Sequence, residues 1–326
     1  MTEIPTETLV TVFGGSGFLG RHVVRALARA GYRIRPAVRR PDLAVHLQPM
    51  GRVGQIHPVQ ANLRYPASVE AAVRGADVVI NLVGILFERG KQRFEAVQAE
   101  GAACVARAAA AAGARMIHVS ALGADPDSPA LYGRTKAAGE QAVLAAAPEA
   151  TIFRPSIVFG PEDEFYNRFA ALARISPLLP SIGGGKTKFQ PVFCGDVAAA
   201  VVAAGIDGKA KPGAVYELGG PDVMTFRKIL QDVQEWSGRK RGFLYMPFWV
   251  AKLQALLTWP LPNSLRPITV DQVRMLQKDN VVSEAAVKDG RTLVGLGITR
   301  PHAAAAAVPG YIERFKPKGQ YAHYRG

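Results

Sequence analysis

A tyrosine and a lysine four residues apart, Tyr132 and Lys136, stand in the segment YGRTK, just before an alanine-rich stretch with helical character. Residues four apart lie on one face of an α-helix, so both side chains would point the same way. In hydride transfer, such a phenol gives or takes the substrate proton, and a nearby ammonium lowers the pKa of the phenol toward the working range. The same ammonium can instead hold a nicotinamide ribose. The pair therefore predicts either redox catalysis or retention of a cofactor.

Glycines near the N-terminus form a second candidate site. Gly14, Gly17 and Gly20 follow the spacing GxxGxxG between a predicted strand, TLVTVF at 8–13, and a predicted helix. Glycines let the backbone turn tightly against a pyrophosphate, and the helix N-terminus offers N–H groups with a favourable dipole. A tight strand-to-helix turn is the alternative for the spacing alone. Its position in a βαβ unit favours a dinucleotide.

Two arginines, Arg39 and Arg40, follow the second predicted strand, YRIRPAV. An NAD-preferring site would place an acidic residue here, where it accepts hydrogen bonds from the adenosine ribose and repels a 2′-phosphate. Guanidinium groups bind a phosphate through paired hydrogen bonds. The sequence therefore predicts NADP(H) as the cofactor, with solvated surface arginines as the alternative.

The elements that must position these residues alternate between strand and helix along the first half of the chain. A continuous apolar run, ADVVINLVG at 76–84, is typical of a strand buried on both faces. The crossovers are long enough for helices, so we predict an α/β fold with a parallel, doubly wound Rossmann sheet. We expect this domain over 1–160 plus 190–222, and a smaller, mostly helical C-terminal lobe over 161–189 plus 223–326.

The bulk composition is that of a globular protein. Of 326 residues, 48% are hydrophobic and 20% are charged, which argues against a disordered chain. Cys104 and Cys194 stand far apart, without a CxxC pair or neighbouring histidines, so neither a disulfide framework nor a metal site is predicted. The start of the chain has no recognisable export signal, and we expect a bacterial cytoplasmic location.

The net charge of +14 is unevenly placed. Between Trp236 and Val270 there is no acidic residue, which favours an anionic lipid surface or an acidic partner and a peripheral place on the cytoplasmic face of the inner membrane. Nucleic acid is not expected, because no nucleic-acid-binding motif accompanies the charge. Two alternatives remain for an apolar stripe in this segment, the core of the lobe or an interface. The basic residues are Arg239, Lys240, Arg241, Lys252 and Arg266, and the stripe is Trp249, Leu253 and Leu256.

Several motifs together resemble the extended and atypical short-chain dehydrogenase/reductase superfamily. They are the GxxGxxG turn, NLVG at 81–84, HVSALGAD at 118–125, YGRTKAAGE at 132–140 and RPSIVFGPED at 154–163. With the KFQPVFCGDVA segment, and further on into TVDQVRMLQKDN, the chain more narrowly resembles the nucleotide-binding accessory subunits of respiratory complex I (NADH:ubiquinone oxidoreductase) and their bacterial relatives.

The resemblance implies a protein that holds NADPH tightly without a recognised turnover and stabilises the peripheral arm close to the membrane. It also assigns roles to matching positions. The pyrophosphate turn is Gly14, Ser16, Gly17, Phe18, Leu19 and Gly20; the 2′-phosphate position is Arg39 and Arg40; the adenine contact is Asn62 and Leu63; the contact after the fourth strand is Val83 and Gly84; the catalytic pair is Tyr132 and Lys136, and Lys136 also holds the ribose.

Two positions depart from the superfamily pattern. At the adenine contact the superfamily usually has aspartate, and Asn62 can still hydrogen-bond but carries no charge. The catalytic serine would be Ser120, yet the same role could align with Leu122, which has no hydroxyl to polarise a substrate carbonyl.

Two functions follow from these expectations. The first is an NADP(H)-loaded accessory or assembly protein of complex I, docked by its basic, aromatic-rich lobe. The second is an active NADP-dependent reductase, epimerase or dehydratase on a sugar nucleotide or a hydrophobic carbonyl compound, in which Tyr132 is the acid or base and Lys136 its electrostatic partner. Fold resemblance alone does not separate them.

Overall fold

The computed structural model describes residues 6–205, 208–258, 268–317 and 319. Its strands in chain order are β1 (Leu9–Phe13), β2 (Arg33–Val38), β3 (Val59–Gln60), β4 (Val78–Asn81), β5 (Arg115–Val119), β6 (Thr151–Pro155), β7 (Val158–Phe159), β8 (Leu178–Ile182), β9 (Lys188–Phe189), β10 (Val192–Phe193), β11 (Val215–Leu218), β12 (Met224–Thr225) and β13 (Gly242–Met246).

The helices follow the same order. They are α1 (Phe18–Arg29), α2 (Pro66–Val73), α3 (Glu100–Ala111), α4 (Leu131–Ala146), α5 (Tyr166–Ile175), α6 (Cys194–Gly205), α7 (Phe226–Trp236), α8 (Phe248–Leu257), α9 (Val270–Met275), α10 (Glu284–Lys288) and α11 (Ala304–Ile312). Short 3₁₀ segments lie at Pro41–Met50, Gly183–Gly185, Val294–Leu296 and Glu313–Phe315, and a π-helical turn at Glu95–Ala99 directly precedes α3.

The chain divides into two compact units. The first unit takes the described residues up to Pro155, together with Cys194–Leu218 and Ser283–Arg300. The second unit takes Ser156–Phe193, Gly219–Val282 and the described residues from Pro301 onward.

Residues 283–300, which the sequence assigns to the smaller lobe, belong to the first unit. The Ser283 N–H donates to a carboxylate oxygen of Glu217 at 2.7 Å, and the Glu217 N–H donates to the carbonyl of Arg291 at 3.0 Å. The Arg291 guanidinium in turn donates to the carbonyl of Val215 in β11 at 3.0 Å. These contacts are polar and join residues far apart in the sequence. Hydrophobic periodicity does not report such contacts, so the sequence pattern did not place residues 283–300 in the first unit.

The first unit is built on a seven-stranded sheet with the order β11-β6-β5-β4-β1-β2-β3. Every neighbouring pair is parallel, which confirms the predicted Rossmann-type fold. All four residues of β4 are buried, as a strand covered on both faces requires. The strand order reverses between β1 and β4, and in such sheets ligands bind beyond the carboxyl ends of the strands at that point.

The second unit is mostly helical. Its described strands form three two-stranded pairs, β7 with β10, β8 with β13 and β9 with β12. Its core is rich in aromatic rings, including the fully buried Phe159 and Tyr166, whose ring centroids lie 5.9 Å apart. Helices α5, α7 and α11 pack around these rings.

Candidate functional site

The glycine turn joins β1 to α1 at the place where the sheet order reverses. Gly14 has a φ of +78°, which favours glycine. A Cβ on Gly20 would lie 2.1 Å from the carbonyl oxygen of Gly14, so a side chain there would push the helix off the strand. Helix α1 begins at Phe18 with Gly17 as an extended N-cap and no side-chain cap. The open helix N-terminus fits a pyrophosphate, with the partly exposed Ser16, Phe18 and Leu19 in and beside its first turn.

Arg39 and Arg40 are both exposed just beyond the end of β2. They differ in their surroundings, because the guanidinium of Arg40 pairs with the carboxylate of Asp42, Nη2 to Oδ2, at 2.7 Å. This pairing raises the pKa of Arg40 and lowers the pKa of Asp42. Asp42 was not assigned a role from the sequence, and its only signal there is its spacing from Arg40. It places a negative charge beside the expected 2′-phosphate site.

Replacing Asp42 with asparagine is expected to strengthen NADPH binding by about two- to fivefold, because Arg40 no longer divides its hydrogen bonds between the carboxylate and the phosphate. Titration calorimetry with NADPH and NADH measures the effect, and the NADH affinity should change less. Asp289→Asn is the matched control, since Asp289 is an exposed aspartate that pairs with Arg291 two residues on at 2.8 Å. An equal gain in the control would make the effect one of overall charge.

Asn62 and Leu63 follow β3. The side-chain oxygen of Asn62 accepts the N–H of Arg64 at 3.2 Å, and its backbone N–H donates to the hydroxyl of Ser68 at 3.0 Å. Leu63 packs against α3 at Gly101, where a Cβ would lie 3.0 Å from Leu63 Cδ2. The turn therefore fixes the Asn62 carboxamide through its oxygen, and the NH₂ group of the same side chain remains a possible hydrogen-bond donor.

Val83 and Gly84 follow β4 and meet other predicted site residues. A Cβ on Gly14 would lie 3.3 Å from Val83 Cγ2, and a Cβ on Gly84 would lie 3.3 Å from the Lys136 ammonium. Asn81, at the end of β4, accepts the Val83 N–H at 3.1 Å through its side-chain oxygen. The structure thus brings the glycine turn, the end of β4 and Lys136 together, as expected for a cofactor crossing the strand ends.

Lys136 is buried on α4, the helix predicted to carry it. Its ammonium donates to the carbonyl of Val119 at 3.2 Å. Burial lowers the pKa of Lys136 to about 8, and the negative charge of Glu140, one turn further along α4, acts against this shift. An ammonium so placed is a ready partner for ribose hydroxyls.

Two buried polar residues near Lys136 were not found from the sequence. The Asn81 side chain lies 3.3 Å from His118 Nδ1. Burial, and then the charge of Lys136, lowers the pKa of His118 to about 3, so this imidazole is neutral at ordinary pH. The other buried residues of β4 and β5 are all apolar, and a polar side chain at a buried strand position is the signal that could have identified Asn81 and His118.

Glu140, one turn after Lys136 on α4, forms a bidentate ion pair with Arg154. Arg154 Nε donates to Oε1 at 2.9 Å, and Nη2 donates to Oε2 at 2.6 Å. The pairing raises the pKa of Arg154. It ties α4 to β6, and the carboxylate that it fixes also stabilises the charged form of Lys136.

Tyr132 lies on the same helix, partly buried, with its ring edge-to-face with Phe94 at 5.9 Å between centroids. Burial raises the pKa of the Tyr132 phenol to about 12. The net shift is upward, whereas the pairing with Lys136 was expected to bring the pKa down. A phenol in this state keeps its proton at neutral pH, so very little phenolate is present to act as a base, and the phenol is a weaker acid than an ordinary tyrosine.

Ser120 and Leu122 are both buried after β5. The N–H of Ser120 donates to the carbonyl of Phe153 at 2.7 Å, and that of Leu122 donates to the carbonyl of Pro155 at 2.9 Å. The Ser120 hydroxyl is shielded from solvent and has no hydrogen-bond partner among the residues described. Ser120 is thus the one residue of the two with a hydroxyl, and that hydroxyl is buried with its hydrogen bonds unmade within the described parts of the chain.

The cysteines do not contribute to this arrangement. Cys104 and Cys194 are both buried and are not joined in a disulfide, and burial raises the pKa of Cys104. Over the described parts of the chain, no group of three or more His, Cys, Asp and Glu side chains could hold a metal ion.

Comparison with known proteins agrees with the fold and with the glycine turn described above. The profile of the NAD dependent epimerase/dehydratase family matches residues 10–219. The chain belongs to this family. Among solved structures, the Escherichia coli NADPH-dependent quinone oxidoreductase QOR2 complexed with NADPH shares the fold, with a TM-score of 0.72 and 22% identity over 93% of this chain and 99% of that one.

Two sequence relatives differ in the role that their names give: one is named as a subunit of complex I and the other as an enzyme. NADH dehydrogenase [ubiquinone] 1 alpha subcomplex subunit 9, mitochondrial, from Arabidopsis thaliana is 40% identical over 86% of this chain and 72% of the relative. A ceramide reductase from Caulobacter vibrioides is also 40% identical, but over 60% of each chain. The resemblance to complex I subunits noted from the motifs is confirmed, since most of the chain aligns with such a subunit.

Proposed function

We propose that this protein is an NADP(H)-binding accessory or assembly protein of bacterial respiratory complex I, with little or no turnover. The observation that carries the proposal is the 40% identity to a complex I subunit over 86% of the chain. In this role the protein is peripheral on the cytoplasmic face of the inner membrane and binds complex I subunits rather than nucleic acid.

The site supports retention of the cofactor ahead of chemistry. The glycine turn and the α1 N-terminus bind the pyrophosphate, Arg39 and Arg40 bind the 2′-phosphate, and Asn62 and Leu63 contact the adenine. Val83, Gly84 and the ammonium of Lys136 hold the nicotinamide half. When bound, the nicotinamide would supply hydride-transfer capacity. The Tyr132 phenol, with its pKa raised to about 12, keeps its proton at neutral pH and serves as a hydrogen-bond donor.

Affinity purification from gently solubilised membranes at low salt tests the assembly role. We expect complex I subunits to be recovered together with the protein, and native mass spectrometry of the same sample should show one bound NADP(H). Recovery of the protein as a free monomer only would count against the proposal.

A reductase acting on a hydrophobic carbonyl compound is the second candidate, and the similarity to a ceramide reductase favours it. Epimerase or dehydratase chemistry on a sugar nucleotide belongs to the same alternative. The two candidates differ in the fate of the cofactor. If the reductase is correct, adding a long-chain keto-lipid to the NADPH-loaded protein oxidises the nucleotide, and Tyr132→Phe blocks that oxidation; an accessory protein leaves the absorbance of NADPH unchanged.

A further inference from the structure

Helix α8 in the second unit has its large apolar side chains on the outside. Trp249, Leu253 and Leu256, at helical spacing, are 69%, 48% and 63% exposed, whereas the small Ala251 and Ala255 on the opposite face are 0% and 3% exposed. The alternative that this stripe forms the core of the lobe is therefore wrong. The large apolar side chains of α8 face solvent, and its alanines pack against the second unit. Such an exposed apolar face is typical of a surface that binds a partner or a membrane.

The same surface continues at the tip of β13, where Tyr245 is 66% exposed. The turn at Gly183 and Gly184 contacts both elements. A Cβ on Gly183 would lie 2.3 Å from the ring of Phe248, the first residue of α8, and a Cβ on Gly184 would lie 3.4 Å from the ring of Tyr245. The exposed Lys186 follows this turn. We call the exposed side chains Tyr245, Trp249, Leu253 and Leu256 the α8 face.

Three positively charged side chains lie on or beside the elements that carry the α8 face. Lys252 lies on α8 itself, and Lys186 follows the turn that contacts Tyr245. Arg227 is exposed, with its guanidinium 4.7 Å from the ring centroid of Phe243 in β13. From Ser237 to Thr269 the sequence has no aspartate or glutamate. Arg266, predicted as part of this surface, lies outside the described residues.

We propose that the α8 face lies in the headgroup region of an anionic lipid bilayer. Tyrosine and tryptophan are favoured at that depth, leucines enter the acyl boundary, and lysine and arginine reach the lipid phosphates. Helix α8 has ten residues, about 15 Å of helix, so it lies in the interface plane. Within the described parts of the chain no helix is long and apolar enough to cross a bilayer.

The stretch from Ser237 to Thr269, which includes the α8 face, has no acidic side chain, and this favours lipid over a protein partner as the occupant. An acidic protein surface would pair with the lysine and arginine side chains alone, whereas an anionic bilayer also takes up the exposed tyrosine, tryptophan and leucines of the same face. The inference names the surface by which the proposed peripheral protein reaches the membrane, so it rests on that proposed location.

Co-sedimentation of the full chain with phosphatidylcholine vesicles, with and without phosphatidylglycerol, tests the inference. We expect binding to the anionic vesicles that weakens as salt is added, and little binding to the neutral ones. The double variant Leu253→Ser/Leu256→Ser should bind at least tenfold more weakly. In the matched control Leu43→Ser/Val45→Ser, two exposed apolar residues of the first unit (62% and 56% exposed) are changed, and binding should stay as in the unmutated protein.

A second pair of measurements separates charge from apolar contact. Lys186→Gln/Lys252→Gln should lower vesicle affinity by roughly tenfold at low salt and remove most of the salt dependence. On binding, tryptophan emission should shift to the blue, and Trp249→Phe should abolish most of that shift.

Two outcomes would overturn the inference. The unmutated protein could fail to bind anionic vesicles, or the control variant could lose vesicle binding as much as the α8 variant does. If the unmutated protein does not bind vesicles and the α8 variant loses complex I subunits in pull-downs, the face is a protein interface. Because vesicle binding needs no complex I subunit, a failed vesicle assay leaves the accessory role standing, and a failed pull-down leaves lipid binding standing.

Discussion

Arg39→Glu is expected to lower the affinity for NADPH by at least about 100-fold while changing the affinity for NADH only a few-fold. Arg39 is exposed beyond the end of β2, and its neighbour Arg40 is engaged with Asp42. We therefore expect Arg39 to carry most of the attraction for the 2′-phosphate. A carboxylate in its place would repel the phosphate and could accept hydrogen bonds from the ribose hydroxyls of NADH instead.

The control for this charge reversal lies on the same strand. Arg33 is exposed at the start of β2, at the opposite edge of the sheet from the candidate site. Arg33→Glu makes the same change in net charge, and its calorimetric affinities for NADPH and NADH should both stay close to those of the unmutated protein. Equal affinities for the two nucleotides before any substitution, or equal losses in the two variants, would refute the assignment of NADP(H).

The first unit is the part of the molecule that the sequence predicts well. The buried run in β4 and the glycine spacing of Gly14, Gly17 and Gly20 are local patterns whose physical causes act within a few residues. Burial on both faces requires an apolar strand, and close packing of α1 on β1 requires glycine. The parallel sheet and the place of the turn at its centre follow directly from these patterns.

The remaining features depend on contacts between residues far apart in the sequence, or on which side of an element faces solvent. The neutral His118 beside Asn81 becomes visible only when β4 and β5 pair. The stripe of Trp249, Leu253 and Leu256 is clear from its period, but a period does not say whether the stripe points inward. The small size of Ala251 and Ala255 was the available signal, because small residues permit close packing of a helix on its own unit.

The ion pair between Arg40 and Asp42 shows the same limit at short range. The spacing of Arg40 from Asp42 is evident in the sequence, yet an arginine and an aspartate two residues apart can equally point in different directions. The 3₁₀ segment that begins at Pro41 places Asp42 where its carboxylate meets the guanidinium. A site that looks purely cationic in sequence therefore carries one opposing charge.

Lys136→Met is expected to have opposite effects on stability and on cofactor binding. Burial lowers the pKa of Lys136 from 10.5 to about 8, so the folded state accommodates the ammonium poorly. Between pH 8 and pH 10.5 the unfolded chain binds more protons at this position than the folded chain, and stability contributed by this residue rises with pH across that window. Below pH 8 the cost of the buried charge is present in full. A methionine of similar length removes it.

The cofactor-free Lys136→Met variant should therefore unfold at a temperature a few degrees higher at pH 7, and it should lose the rise in stability between pH 8 and pH 10 that the unmutated protein shows. The lost hydrogen bond to the carbonyl of Val119 offsets part of the gain. NADPH affinity should fall by roughly ten- to 100-fold, because the ribose loses a charged donor.

Lys288→Met provides the comparison for both measurements, since Lys288 is an exposed lysine on helix α10 of the same unit. It should change neither the pH dependence of unfolding nor the affinity for NADPH. A destabilised Lys136→Met protein, or one that keeps full NADPH affinity, would contradict the role given to this ammonium. Because a positive charge that is costly to bury persists only where something else requires it, the combination of higher stability with weaker binding is the signature that distinguishes a cofactor-holding lysine from a structural one.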